Sequence, residues 1–534
     1  MKSGGGVAVP LRVAVVGLSH RWQALLDQIG VFYQSVEPEH ITRPEETGPV
    51  LLLGDGVEAN RKVRQAVQSF LKAGGAVLLQ APLAAALFGL ALRSISARAL
   101  LTPPSDPFFP LPFTPVESTL AVLDHADCVL DDQERATVTR IDYGGGRLLV
   151  LPGGLIDQLG EYQVVRRKFF VPNRSRFPTE RVCRVNRQGI RYLVEKGFQL
   201  LFHELGLPYV VRWPFPRGAD GVFLFRVDTD FARPDQIEAL YQLFCQWDVP
   251  ATWFVETASA EDHLGLFARM EGQEIGLHCY RHRIFPTVEE NLADIRRGLA
   301  VLAKVGLQPT SYAGPYGEWN PALHRALVHS GFTCSSEFAL AYDDRPFALP
   351  ACQDARAFWQ LPIHPISVRR LFLAGFSESE MVSYYLQKLN QLAAYRQPVV
   401  FYHHPGHGRL AVFREVFQQV QRLGWPKLSF REYLDWWAAS RKAEAIVTYQ
   451  GGHLLTKGAS PDQNLVLGVH WPRSKEADPE IWQLISLATP ETRQWQPPAA
   501  DNPPTEVGTV RRLLRKDWRM WLNDWESYRG KRKR

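Results

Sequence analysis

Apolar residues fall in short unbroken runs separated by amphipathic stretches over most of the chain. Leu11 to Gly17 (LRVAVVG), Pro49 to Gly54 (PVLLLG) and Ala76 to Gln80 (AVLLQ) each read as a strand buried on both faces, the pattern of a parallel sheet. Helical spacing fills the gaps. It runs to about Val36 after the first strand. It returns over Asn60 to Ala73, where Val63, Val67, Phe70 and Leu71 share a face before Gly74 and Gly75 end the helix. Gly144 to Gly146 closes a turn ahead of a late strand, Arg147 to Leu151. The alternation predicts an α/β domain with a parallel sheet over residues 1–160.

Residues 161–217 read as a connector holding one helix, Arg187 to Leu205. Its basic, aromatic stretch Arg166 to Arg176 (RRKFFVPNRSR) is either a solvated loop or a face for an anionic partner. Strands and helices alternate again over 218–441, as in a barrel of parallel strands. Trp436 and Trp437 on its last helix read as core. Ala445 to Gln450 and Leu465 to Trp471 read as strands of a small β-rich unit, 442–495. Pro497, Pro498, Pro503 and Pro504 mark a stiff linker, and a basic tail completes the segment 496–534.

One strand carries chemistry at its tip. Val222, Phe223, Leu224, Phe225 and Val227 are apolar, and the run ends in Asp228 and Asp230. Buried carboxylates need partners. At strand ends such a pair holds a metal, acts as a base, or caps a helix. After a second apolar run come His278 and His282. On a helix these two would share a face and clamp one ion with the aspartate, an open set suited to zinc or another divalent metal. Cys279, between them, would point away from that face.

These motifs resemble the first two of the polysaccharide deacetylases, carbohydrate esterase family 4. The Asp-x-Asp spelling is similar to the branch containing the deformylase of undecaprenyl-phosphate-linked aminoarabinose. Asp248 to Glu256 (DVPATWFVE) resembles the family's second strand. Ser311 to Gly317 (SYAGPYG) resembles its Arg-x-Pro-Tyr motif, with Ala313 in place of the arginine. Val399 to Pro405 (VVFYHHP) resembles the late strand bearing the catalytic histidine. The resemblance spans about 220 residues, from near Gly218 to Arg441.

It implies a distorted (β/α) barrel. It also implies Asp230, His278 and His282 as metal ligands and Asp228 as the base for the attacking water. The Tyr316 backbone N–H would serve as oxyanion donor, and His404 or His403 as the acid for the leaving amine. The His-Pro pairing favours His404; His407 and His364 read as structural. The family arginine orients the base. Arg226, on the same strand face as Asp228, either substitutes for it or makes an unrelated ion pair.

Residues 1–160 carry FLKAGGAVLLQ, which resembles class I glutamine-amidotransferase-like, flavodoxin-like domains. No cysteine precedes Cys128, which sits in DCVLDD rather than at a nucleophile elbow, so this domain reads as non-catalytic.

Composition narrows the setting. The chain has 534 residues, 46% hydrophobic and 22% charged, which is globular and long enough for several domains. Six cysteines are scattered without a CxxC pair, which argues against a disulfide framework. Neither a signal peptide nor a run of 18 apolar residues is evident, so the chain reads as cytoplasmic.

The net charge of +6 is concentrated at the end: residues 510–534 hold ten Lys/Arg against three Asp/Glu. Leu514, Trp518, Trp521, Trp525 and Tyr528 form one helical stripe there. That suits an anionic membrane surface, or packing on the protein itself; no nucleic-acid motif accompanies the charge. The expected activity is metal-dependent removal of an acetyl or formyl group from an amino sugar. The alternatives are a catalytically silent glycan- or lipid-binding scaffold and a hydrolase of a non-sugar amide.

Overall fold

A computed structural model of the chain describes residues 7–172, 174–349, 357–458, 465–472, 482–487 and 492–497. It comprises two compact units.

The first unit contains the described parts of Met1–Gly160, Val185–Gly218 and Ala438–Arg511. Three expected strands are present as Val13–Val16, Val50–Leu53 and Ala76–Gln80, paired in parallel. Asn60 caps the helix Arg61–Lys72 by accepting the Val63 N–H. The first helix is shorter than its spacing implied, because Gly30, at φ 87°, ends it and the chain enters a further strand, Tyr33–Ser35.

The sheet is not wholly parallel. Beyond Gly146–Leu151 it continues into antiparallel strands, of which Leu92–Leu101 and Thr114–Leu123 pair over most of their length. Leu92–Leu101 alternates exposed and buried residues over its first half, the mark of a sheet with one wet face.

The expected connector and the expected small β-rich unit are not units of their own. Helix Arg187–Glu204 and strand Tyr209–Arg212 belong to the first unit. Tyr209–Arg212 pairs with Leu465–His470, and Ala445–Gln450 pairs with Val9–Pro10. Short strands need partners for their backbone groups, and these find them far away in sequence.

The second unit contains the described parts of Glu161–Arg184 and Ala219–Trp437. The RRKFF stretch is only partly a loop: its Arg166, Arg167 and Lys168 lie on Val164–Lys168, which pairs with Thr179–Cys183 as a hairpin. Eight strands among the described residues form a sheet in the order Phe347–Leu349, Phe358–Gln360, Cys334–Ser335, Ser311–Tyr312, Glu274–Cys279, Ala251–Glu256, Phe223–Asp228, Val399–His403. All neighbours are parallel except the first pair. Just past Phe358–Gln360, the His364 N–H donates to Val400 C=O, so the curled sheet nearly closes on itself.

The centre is aromatic. Phe225 meets Phe244, Phe413 and Phe417 at 5.1, 4.9 and 5.5 Å between ring centroids. Each such buried ring contributes roughly 1.5–3 kcal/mol by leaving water. This packing fixes the strand from which Asp228 and Asp230 project.

Candidate metal and catalytic site

Because the strands are parallel, their C-terminal ends lie on one side, and the predicted residues meet there. Asp228 ends one strand, His278 is the penultimate residue of Glu274–Cys279, Tyr316 follows Ser311–Tyr312, and His404 follows Val399–His403.

The ligand atoms of Asp230, His278 and His282 all lie within 4.8 Å of one another. Asp230 Oδ1 is 3.1 Å from His278 Nε2, and Asp230 Oδ2 is 3.3 Å from His282 Nε2. The two Nε2 atoms are 3.2 Å apart. His278 Nδ1 lies 2.5 Å from Ala313 C=O, an oxygen that can only accept, so Nδ1 carries the proton and Nε2 presents a lone pair. That is the tautomer a metal requires, held as metal-ligating histidines usually are. Asp230 Oδ1 is a buried oxygen without a hydrogen bond. The His278 lone pair, the His282 Nε2 beside it and an orphaned carboxylate oxygen converge on one point and fit a divalent cation.

The two histidines do not share a helix. His278 lies on a strand and His282 in the loop after it. Asp294, on helix Val288–Ala303, shapes that loop by accepting the N–H groups of Tyr280 at 3.0 Å and Arg281 at 3.2 Å. Cys279 points away from the cluster because strand neighbours alternate, and its burial pushes the thiol well above its usual range.

Asp228 lies beside the cluster, 4% exposed. Arg226, fully buried, grips it with two bonds, Nε to Oδ1 at 2.6 Å and Nη2 to Oδ2 at 2.7 Å, and its third nitrogen donates to Ser336 C=O. The ion pair of Arg226 is therefore with Asp228 rather than with an unrelated carboxylate. Burial pushes Asp228 up, but the Arg226 guanidinium, together with His278 and His404, holds the carboxyl below the usual carboxylate range.

The late histidines separate cleanly. Val227 pairs with His403, so His404 falls beside Asp228. His404 Nε2 is 3.2 Å from Asp230 Oδ2 and 4.0 Å from Asp228 Oδ2. His403 points the other way, fully buried, its ring 4.8 Å from that of Phe413. Burial pushes His403 well below the usual histidine range, so it stays neutral. His407 is pushed down to about 3, by burial first and by His404 second. His364 is sealed in a buried network, Nδ1 to Asp343 at 2.9 Å and Nε2 to the Tyr384 hydroxyl at 2.9 Å.

Tyr316 sits in a tight turn at φ 57°, its side chain exposed and its ring 4.6 Å from His282. Phe231, which sequence reading passed over, resembles it: φ 57°, exposed, and its ring 5.6 Å from that of His282. Asp294 was also missed, though it carries a signal. It lies among Ile295, Gly298, Val301 and Leu302, a carboxylate on the buried side of an amphipathic helix.

No curated protein matches the chain. Among solved structures, a polysaccharide deacetylase from Mycobacterium smegmatis aligns at 21% identity and TM-score 0.37, over 43% of this chain and 94% of that one. The family 4 carbohydrate esterase from Streptomyces lividans, in complex with acetate, aligns at 17% and 0.28, over 39% and 93%. A family 4 pseudoenzyme from Bacillus anthracis aligns at 12% and 0.31, over 41% and 66%. Residues 224–335, which include Asp228, Asp230, His278, His282 and Tyr316, match the family model of the polysaccharide deacetylases, and over that segment the chain is similar to members of this family.

Proposed function

We propose that the protein hydrolyses an N-acyl group, acetyl or formyl, from an amino sugar. The observation that carries this reading is the convergence of Asp230, His278 and His282 within 4.8 Å, beside an arginine-gripped Asp228. The match of residues 224–335 to the polysaccharide deacetylases supports the carbohydrate class. Two exposed aromatic rings at the mouth, Phe231 and Tyr316, support it too, since such rings stack on the C–H face of a pyranose.

Asp230, His278 and His282 would hold one divalent metal; the mixed imidazole and carboxylate set favours zinc. Bound there, it supplies a Lewis acid for the amide carbonyl. Asp228 takes the proton of the attacking water as the oxygen bonds to the carbonyl carbon. The Tyr316 backbone N–H donates to the oxygen that becomes negative. His404 gives a proton to the nitrogen as the C–N bond breaks, releasing a carboxylate and an amine. Arg226 keeps Asp228 aimed and ionised. The test is release of acetate or formate from N-acylated amino sugars by zinc-loaded protein; no release from either class overturns the reading.

His404→Ala is expected to lower kcat by about 10²–10⁴-fold, the usual worth of a positioned acid. His403→Ala should spare kcat and instead lower the melting temperature, because it empties a buried site against Phe413. Steady-state kinetics and a thermal melt on both variants check the assignment, and the opposite ranking reverses it.

The silent-scaffold reading draws on Ala313, which stands where the family has arginine. The Arg226–Asp228 pair answers that loss, which favours the enzyme. The Asp-x-Asp spelling supports a lipid-linked substrate, as in the aminoarabinose deformylase branch. Residues 1–160 would be a non-catalytic amidotransferase-like domain.

No helix among the described residues is long and apolar enough to cross a membrane. The basic tail, 510–534, lies outside the described residues. As a cytoplasmic protein, the chain would reach a lipid-linked sugar through that tail. Full-length protein should then sediment with anionic vesicles, and a chain stopped at Thr509 should not. Equal binding by both, or none by either, removes the membrane role.

A further inference from the structure

We propose that Glu337 is a positioning residue for the ligand histidine His278, acting through the single peptide group between Ala313 and Gly314. The inference rests on the metal site proposed above. Ala313 C=O accepts His278 Nδ1–H at 2.5 Å, and Gly314 N–H donates to Glu337 Oε1 at 2.9 Å. Those two backbone groups are the two sides of one peptide plane. The chain of contacts therefore runs from the Glu337 carboxyl through one peptide group to the imidazole and its free Nε2. Every member is buried: Glu337 and His278 are each 1% exposed and Ala313 is 0% exposed.

A planar peptide cannot turn its C=O without turning its N–H. Holding the N–H therefore aims the oxygen that fixes the ring and tautomer of His278. A hydrogen bond on the N–H side also polarises the carbonyl, strengthening its grip on Nδ1–H. Metal-bound histidines commonly lean on a carboxylate or a backbone carbonyl. Here the carboxyl stands one peptide behind the carbonyl.

Glu337 is itself held. Ser335 Oγ lies 2.7 Å from its second oxygen, and the Gln360 amide donates to its backbone C=O at 3.1 Å. The turn is equally confined: a Cβ on Gly314 would sit 2.5 Å from Glu318 O and 3.1 Å from Glu337 Cγ. Burial pushes the Glu337 carboxyl up to about 7, against the donors around it. Near neutrality its role therefore depends on the reach of an acceptor oxygen more than on a full charge.

That distinction sets the test. Cobalt(II) is titrated into metal-free protein and its visible absorption followed, with a thermal melt of each metal-free variant as the check on folding. Glu337→Asp withdraws the carboxyl by one methylene. It should weaken cobalt binding by about 10–100-fold, the usual effect of losing such support, and alter the absorption band. Glu337→Gln keeps an acceptor at the same reach and should stay within about threefold of the parent, far inside the loss that support normally carries. Gly314→Ala turns the same peptide with Glu337 intact and should weaken binding in the same direction as Glu337→Asp. It is the deciding variant if Glu337→Asp fails to fold.

Parent-like affinity and spectrum in both Glu337→Asp and Gly314→Ala would overturn the proposal while leaving the metal site standing. So would a Glu337→Gln variant as weak as Glu337→Asp. Failure of the parent itself to bind cobalt overturns the site on which the proposal rests.

Discussion

His278→Ala is expected to abolish both metal binding and hydrolysis. Three candidate ligands meet at this site, and His278 is the one most firmly placed, through its bond to Ala313 C=O. Its loss leaves Asp230 and His282, and two protein ligands are fewer than the three that catalytic zinc sites normally use. The affinity loss should exceed the roughly 10–100-fold that follows loss of a supporting residue. Elemental analysis after dialysis against zinc, alongside the deacylation assay, measures both quantities. Chelator treatment of the parent should reproduce the loss of activity, and added zinc should restore it. A His278→Ala variant that retains stoichiometric zinc would place the metal elsewhere.

Asp228→Asn should keep the metal and lose turnover, because it removes a base and not a ligand. A drop in kcat of about 10²–10⁴-fold is expected from the lost proton transfer alone. A second effect comes from packing. Arg226 is fully buried and has two of its bonds on Asp228. Removing one partner of a buried pair costs about 3–5 kcal/mol, because the other charge is left uncompensated. Asparagine keeps one acceptor, so the variant should still fold, with a lower melting temperature. Zinc content, kcat and a thermal melt on one preparation separate these effects. Near-parental kcat in a zinc-loaded variant would mean that the base is another group.

Much of the candidate site was legible because its parts sit at the ends of apolar runs. A segment such as Val222 to Val227 is apolar but for Arg226, which reads as a strand covered on both sides, and parallel strands put their chemistry at one end. Asp228, Asp230 and His278 could be singled out from that position, and Tyr316 and His404 from the resemblance of their motifs to those of the polysaccharide deacetylases. What the bracing residues would hold was not legible, even where one of them, Asp294, stood out on the buried side of its helix. Glu337 and Gly314 are 23 residues apart, and Asp294 reaches its loop from a neighbouring helix. Nothing local in the sequence marks either pair.

Residue type and local order thus determined buried strands such as Val13–Val16, Val50–Leu53 and Phe223–Asp228, the capped helix Arg61–Lys72, the order of the motifs and the candidate ligand types, since burial and hydrogen bonding within a few residues leave little choice there. The tertiary structure alone decided three things. Register against the Phe223–Asp228 strand turned His404 toward Asp228 and His403 into the aromatic core, because a strand's side chains alternate and a shift of one residue reverses them. A loop rather than a helical turn brought His282 back to His278, because Asp294 satisfies that loop's N–H groups. And the strands after residue 442 found partners far back in the chain, Ala445–Gln450 with Val9–Pro10 and Leu465–His470 with Tyr209–Arg212, because an unpaired strand edge takes whichever partner the fold presents, at any distance along the chain.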